Sequence, residues 1–128
     1  MGYTFNRLLT GVSFAEADAR TRKALGESGF GVLTEIDVAA TMKKKLDVEM
    51  TPYLILGACN PKMAYQAIGI EPRVGSMLPC NVILRAVDGG VEVSAIDPVA
   101  SMKAIDNPAL HAVEGQVRDL LAAAVAAI

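Results

Sequence analysis

The chain has 128 residues, of which 52% are hydrophobic and 20% charged, and its formal net charge is −2. This composition excludes a disordered tail, suits one folded domain over residues 1–128, and disfavours nucleic acid as a partner, because nucleic-acid binders usually carry a basic face. The chain has no apolar run near the ~20 residues that cross a bilayer and no export signal, so we expect a cytoplasmic protein without a membrane partner.

Hydrophobic patterning and turn signals divide the first half of the chain into alternating strands and helices. In order, they predict a strand at Tyr3–Leu9, a helix from Ser13 to Gly29, a strand at Phe30–Ile36 and a short helix from Asp37 to Leu46. Ser13 and Glu16 form a capping box, and Gly29 suits the left-handed position that ends a helix.

The second half predicts a strand, a helix, a loop, a hairpin and a final long helix. Their expected positions are Pro52–Cys59, Asn60 to about Gly69, Glu71–Leu78, Pro79–Val87 with Gly90–Ile96, and a helix that begins at Asn107-Pro108. A tight turn at Asp88-Gly89 sets a register that places Arg85 opposite Glu92 and Cys80 opposite Asp97. Asp97-Pro98 reads first as a turn and helix start.

The last helix carries one apolar stripe, formed by Leu110, Val113, Val117, Leu120, Leu121, Ala124 and Ile128. No charged residue follows Asp119, so we expect this end to be covered either by the chain's own sheet or by a second subunit. His111 lies off the stripe and is expected to face solvent. The whole pattern predicts an α+β fold, a mostly antiparallel sheet packed by two long helices.

The only two cysteines occur in a repeated dipeptide, Cys59-Asn60 and Cys80-Asn81. Each cysteine lies at the end of a predicted strand, and if those strands pair antiparallel the thiols share one edge of the sheet, with Asp97 close by. Directly opposed side chains have Cβ atoms about 5 Å apart. Asn60 begins a helix, whose free amides can stabilise an anion such as a thiolate.

Three interpretations of this edge stay open: two cysteines that only pack, a small-ligand pocket, or thiol or metal chemistry. The Cys-x20-Cys spacing without a nearby histidine argues against structural zinc, so we predict no metal and no cofactor. Glu35 and Asp37 are expected to lie on one strand face with Leu33. Paired carboxylates can act in acid–base chemistry, but such residues more often mark the end of a strand. The candidate ligand-binding residues are Cys59, Asn60, Cys80, Asn81, Asp97 and Glu35, and no catalytic residue can be named.

Several segments together resemble one family, called domain of unknown function 302. They are GFGVLTEIDV (Gly29–Val38), KKKL followed by PYLILGACNP (Lys43–Pro61), LPCNV (Leu78–Val82) and SAIDP (Ser94–Pro98). The resemblance implies a β-α-β-β-β-β-α order similar to the TATA-binding fold, and a homodimer. It implies no activity, cofactor or catalytic residue.

These observations favour a homodimeric small-ligand-binding or interaction module without catalysis of its own. The alternative is a small thiol-dependent enzyme or redox sensor that uses Cys59 and Cys80. This alternative requires a partly exposed thiol whose pKa lies well below the free value of about 8.5.

Overall fold

A computed structural model describes residues 2–128 of the chain. The strands are β1 (Thr4–Leu9), β2 (Gly31–Asp37), β3 (Tyr53–Cys59), β4 (Cys80–Val87) and β5 (Gly90–Ile96). The helices are α1 (Phe14–Glu27), α2 (Val38–Leu46), α3 (Pro61–Ile70), a 3-10 helix (Pro72–Met77), α4 (Pro98–Ser101) and α5 (Pro108–Ala127). The predicted α+β class and element order are confirmed, while the likeness to the TATA-binding fold stays a prediction.

The five strands form one antiparallel sheet in the order β1-β5-β4-β3-β2. The predicted hairpin register is confirmed, since Val87 pairs with Gly90 and Arg85 pairs with Glu92. The Arg85 guanidinium donates to the Glu92 carboxylate at 2.8 Å. The same register would bring Asp97 level with Cys80, but β5 ends one residue earlier, at Ile96.

One face of the sheet packs under α1 and α5 and buries the larger of two apolar clusters. Leu56, Val82 and Leu84 have no exposed surface there. We call this cluster the main core; its buried members are Leu9, Ala17, Ala24, Leu25, Phe30, Leu56, Ala58, Cys80, Val82, Leu84, Val91, Val93, Ala95, Leu121, Ala124, Val125 and Ile128. Burial of apolar area at this face is the main stabilising contribution to the fold.

A smaller cluster lies between α3, the 3-10 helix, α4 and the first turns of α5. We call it the second cluster; its buried members are Ala67, Val74, Met102, Leu110 and Val113. Val117 of α5 packs against both clusters. The N-terminal half of α5 therefore belongs to a different packing unit from its C-terminal half.

The C-terminal end of α5 is covered by the chain itself. Val125 and Ile128 are buried in the main core. The Arg7 guanidinium of β1 donates to the main-chain oxygen of Ala126 at 2.8 Å, and that of Arg20 donates to Ile128 at 3.1 Å. The cations that favour a helix C-terminus thus come from other elements, and the cover comes from the chain's own sheet, the first of the two predicted alternatives.

The opposite face of the sheet forms an open trough of about 630 Å³. We call this the open face; it is lined by Tyr3, Thr4, Asn6, Tyr53, Asn81, Ile83, Arg85, Glu92, Ser94 and Ile96. Along β4 its residues alternate with buried ones, as expected for a strand with one covered face. No helix within residues 2–128 is long and apolar enough to cross a membrane.

Candidate functional site

A cavity of about 40 Å³ lies where the main core meets the second cluster. Its walls come from the end of β3, the start of β4 with the two residues before it, helix α3, Pro98 and Met102 at the two ends of α4, and the first half of α5. Most lining side chains are apolar, and the exceptions are Cys59, Asn60, Cys80 and Glu114. Apolar concavities with a few convergent polar groups are the usual form of a small-ligand site.

The turn from β3 into α3 shapes one side of this cavity. The Asn60 side chain accepts a hydrogen bond from the Met63 amide at 3.1 Å, and Pro61 occupies the first helical position. This cap and proline start the helix directly after the strand, as predicted. Met63, Ala64 and Ala67 then face the cavity from one side of α3.

Gly57 lies next to the cavity-lining Ala58, and it pairs with Asn81 on the other face of the sheet. A Cβ atom at Gly57 would lie 2.6 Å from Cγ of Pro79 and would also collide with the Thr34 hydroxyl. Because glycine lacks this atom, Pro79 can pack closely against β3 at this position. Pro79 and Cys80, at the start of β4, both line the cavity.

The two thiols lie at the same edge of the sheet, but not directly opposite each other. The register pairs Cys80 with Ala58, so Cys59 is offset by one residue. The Cβ separation expected for directly opposed side chains therefore does not apply to the two cysteines. Both are free cysteines that line the cavity; Cys80 is buried and Cys59 is half-buried. The structure therefore brings both cysteines to the same cavity, at the end of β3 and the start of β4.

Burial makes both thiols poor nucleophiles. It raises the pKa of Cys80 to about 11, with a further contribution from the nearby Cys59. Burial also raises the pKa of Cys59. A reactive cysteine needs the reverse shift, because the thiolate is the nucleophile.

Glu114 is the site residue that the sequence analysis missed. Its side chain is only 2% exposed, and its Oε2 atom lies 2.9 Å from Nδ1 of His111. The other oxygen, Oε1, is buried and has no hydrogen-bond partner among the described residues. Glu114 also lines the cavity.

A signal for Glu114 was present in the sequence. The residue stands four positions after Leu110 and three before Val117, so it lies on the apolar stripe of α5. The predicted stripe was traced through apolar residues only and therefore passed over this glutamate. His111 is solvent-exposed as predicted, and it hydrogen-bonds to this buried carboxylate.

The remaining predicted site residues lie outside the cavity lining. Asn81 belongs to the open face of the sheet. The Asp97 side chain accepts from the Val99 amide at 2.9 Å and caps α4. Asn81 lies on the open face because it follows the buried Cys80 along β4, and Asp97 lies outside the sheet because β5 ends at Ile96.

Glu35 is also separate from the cavity and pairs with Arg22 of α1. It shares a strand face with Asp37, whose carboxylate caps α2 by accepting from the Ala40 amide at 2.9 Å. The register shifts between Val32 and Thr34, and Leu33 is the extra residue of this bulge, so the simple alternation behind the expectation that Leu33 shares that face does not apply there.

Within residues 2–128, no group of three or more histidine, cysteine, aspartate or glutamate side chains could hold a metal ion. The cavity's two cysteines and Glu114 therefore do not constitute a metal centre. What the arrangement can do is surround the apolar part of a small molecule and offer a carboxylate oxygen to its hydrogen-bond donor.

Comparison with known proteins places the fold in a known group. The family model described as Domain of unknown function DUF302 matches residues 6–128. A crystal structure of an uncharacterized conserved DUF302 protein from Bacillus stearothermophilus aligns with a TM-score of 0.90 and 24% identity, covering 98% of each chain. No curated protein matches the chain in sequence.

Proposed function

The chain belongs to the DUF302 family, and we propose that it functions as a homodimeric small-ligand-binding module without catalysis of its own. One observation carries this proposal: the cavity beside the two cysteines is walled by several elements, and Glu114 in its lining has a buried carboxylate oxygen without a hydrogen-bond partner among the described residues. Binding sites of this form gain affinity from the apolar lining and orientation from the polar group.

The size of the cavity limits the ligand. A volume of about 40 Å³ accommodates roughly three water-sized groups. Met63 and Met102 line it, and methionine side chains adapt readily because they are unbranched and flexible. Cys59, Asn60 and Met63 are half-buried and mark the side of the cavity nearest to solvent.

Filling the cavity tests this binding function. Ala64 lines it, so Ala64→Leu would occupy the space, while Ala122 of α5 is half-buried outside the lining and provides the matched control Ala122→Leu. Small polar fragments that raise the melting temperature of the natural protein are expected to lose this effect in Ala64→Leu and retain it in Ala122→Leu. If the filled variant responds like the natural protein, the cavity is not the binding site.

We place the dimer interface on the open face of the sheet. Tyr3 on this face is 66% exposed, and Ile83 and Ile96 lie in its trough. These aromatic and aliphatic side chains lie among polar ones, and exposed apolar groups rimmed by polar residues are typical of an interaction site. A second copy fits it, because a two-fold axis lets the same surface pair with itself.

A charge in the trough should separate the subunits. Ile83→Lys is expected to yield monomers in sedimentation equilibrium, because a lysine would lose its hydration at the interface. Leu46→Lys is the control, since Leu46 is 65% exposed on α2 and lies outside the open face. A natural protein that sediments as a monomer at micromolar concentration would contradict the dimer.

The alternative function, a thiol-dependent enzyme or redox sensor, receives less support. Cys59 is half-buried and close enough to raise the pKa of Cys80, which favours a thiol pair. However, the raised pKa values keep both thiols protonated at neutral pH. Fast alkylation of Cys59 in the folded protein at neutral pH would favour the enzyme over the binding module.

A further inference from the structure

The unpaired carboxylate oxygen of Glu114 lowers the stability of the fold unless it has a hydrogen-bond partner. The carboxylate is 2% exposed, and only Oε2 is hydrogen-bonded. Leaving a buried polar atom unpaired typically costs about 1–3 kcal/mol, and more when the group is charged. An unpaired buried atom in a native structure calls for an explanation, such as a bound water, an ion, a ligand or a catalytic role.

The surroundings of Glu114 supply one partner only. His111 is 45% exposed and approaches Oε2 from the solvent side. Within residues 2–128, no lysine or arginine side chain lines the cavity. The negative charge is therefore not neutralised from the cavity side, and a positively charged hydrogen-bond donor would be favoured there.

The rest of the lining suits a small alkyl group and also offers sulfur atoms to a cation. Leu110, Val113 and Val117 provide aliphatic surface. Four sulfur-containing side chains complete the lining: Cys59, Met63, Cys80 and Met102. Thiol and thioether sulfurs are weak hydrogen-bond acceptors, so they can receive the remaining N–H groups of a bound ammonium.

We propose that Glu114 anchors a small primary alkylammonium ion in this cavity. The Oε1 atom accepts one ammonium N–H, and His111 holds the carboxylate by its other oxygen. The cavity volume of about 40 Å³ limits the ion to roughly three non-hydrogen atoms. This inference rests on the proposed binding function and names its ligand class.

The test uses ethylammonium chloride and the neutral molecule ethanol as probes. Binding is followed by NMR shifts of the cavity methyl groups, with Glu114→Gln compared with the natural protein. Glu27→Gln is the matched control, because Glu27 is exposed at the end of α1. Ethylammonium is expected to bind the natural protein and Glu27→Gln alike, and to bind Glu114→Gln about tenfold or more weakly, since a charge-assisted hydrogen bond is lost.

The outcomes separate the anchor from the cavity itself. If both probes bind the natural protein equally well and Glu114→Gln binds them unchanged, the cavity binds ligands but the ammonium assignment is wrong. If ethylammonium shifts no cavity methyl group in the natural protein, the assignment is also wrong, while Ala64→Leu still tests other ligands. Selectivity for ethylammonium over ethanol is measured on the natural protein, so the test remains valid if Glu114→Gln does not fold.

Discussion

The main core and the second cluster treat a buried polar side chain in different ways. In the main core, Thr21 of α1 is fully buried, and its hydroxyl donates to the Ala17 carbonyl oxygen at 2.7 Å. Beside the second cluster, Glu114 of α5 is almost as buried but leaves one carboxylate oxygen unpaired. The first region is organised for stability, whereas the second retains a free polar atom next to a cavity.

This difference locates function more sharply than the cysteines do. Thiols pack readily as small apolar groups, so their burial alone indicates nothing about binding. A buried carboxylate with a free oxygen is energetically unfavourable in the absence of a partner. The second cluster is therefore where we expect the fold to give up stability for binding.

The largest expected effect comes from truncating one leucine in each region. Leu121 and Leu110 lie on the same helix and are both fully buried, but Leu121 belongs to the main core and Leu110 lines the cavity. Leu121→Ala should lower the free energy of unfolding by about 4 kcal/mol, and Leu110→Ala by about 2–3 kcal/mol. The cost is smaller at Leu110 because a side chain beside a cavity already lacks contacts on one side.

Urea unfolding of the two variants measures this difference. The slope of the unfolding curves should match that of the natural protein, which shows that the compared states are the same. Equal losses of stability at the two positions would indicate that the regions are packed alike.

The next effect concerns pH and the boundary between the two regions, where Cys80 lies. Its pKa is raised from 9.0 to about 11 by burial. Between these values the unfolded chain loses the thiol proton while the folded chain keeps it, so stability falls as pH rises. The loss should reach about 2–3 kcal/mol near pH 11, because each pKa unit corresponds to about 1.4 kcal/mol.

The comparison variant is Cys80→Ala, which removes this titration. Its free energy of unfolding should decline less than that of the natural protein between about pH 8.5 and about pH 11. Parallel curves of unfolding free energy against pH for the two proteins would show that water reaches the thiol. The boundary between the two regions would then be as hydrated as a surface site.

A smaller effect, of opposite sign, is expected at Glu114. Glu114→Met should raise the free energy of unfolding by about 1–2 kcal/mol in the absence of ligand, because an unpaired buried carboxylate is replaced by an apolar side chain of similar length. Thr21→Val is the matched change in the main core. It should lower stability by up to about 1 kcal/mol, since it removes a satisfied hydrogen bond.

Thermal and urea unfolding of both variants gives the sign directly. If Glu114→Met is destabilising, the carboxylate has a stabilising partner in the unliganded protein, and the contrast between the two regions disappears.

Local signals account for the parts of the fold that the sequence predicted well. Ser13, Asn60 and Asn107 each accept a hydrogen bond from an amide in the first turn of the helix they precede. The Asp88-Gly89 turn likewise set the hairpin register. Caps and tight turns depend on residues close in sequence, so they can be recognised without knowledge of the fold.

The parts that were missed depend on pairing between distant segments. The bulge at Leu33 and the pairing of Cys80 with Ala58 are set by how β2 and β4 align with β3. No local signal specifies these alignments. Glu114 was missed for a different reason: its helical position indicates burial, but the stripe was traced through apolar residues only.

The smallest expected effect distinguishes the two regions by whether a helix unfolds locally or only together with the whole protein. Ser13 caps α1, which buries four residues, among them Leu25, whereas Asn60 caps α3, which buries only Ala67. Losing either cap costs about 1 kcal/mol for the helix concerned. Because α1 contributes to the main core, Ser13→Ala should lower the global free energy of unfolding by about this amount. Because α3 contributes so little buried surface, Asn60→Ala should instead speed amide hydrogen exchange in α3 while global stability changes by less than about 0.5 kcal/mol.

Asn60→Ser retains a capping oxygen and should restore slow exchange. Equal effects of the two alanine variants on global unfolding would mean that α3 opens only with the whole protein, and the cavity wall would then be as rigid as the main core.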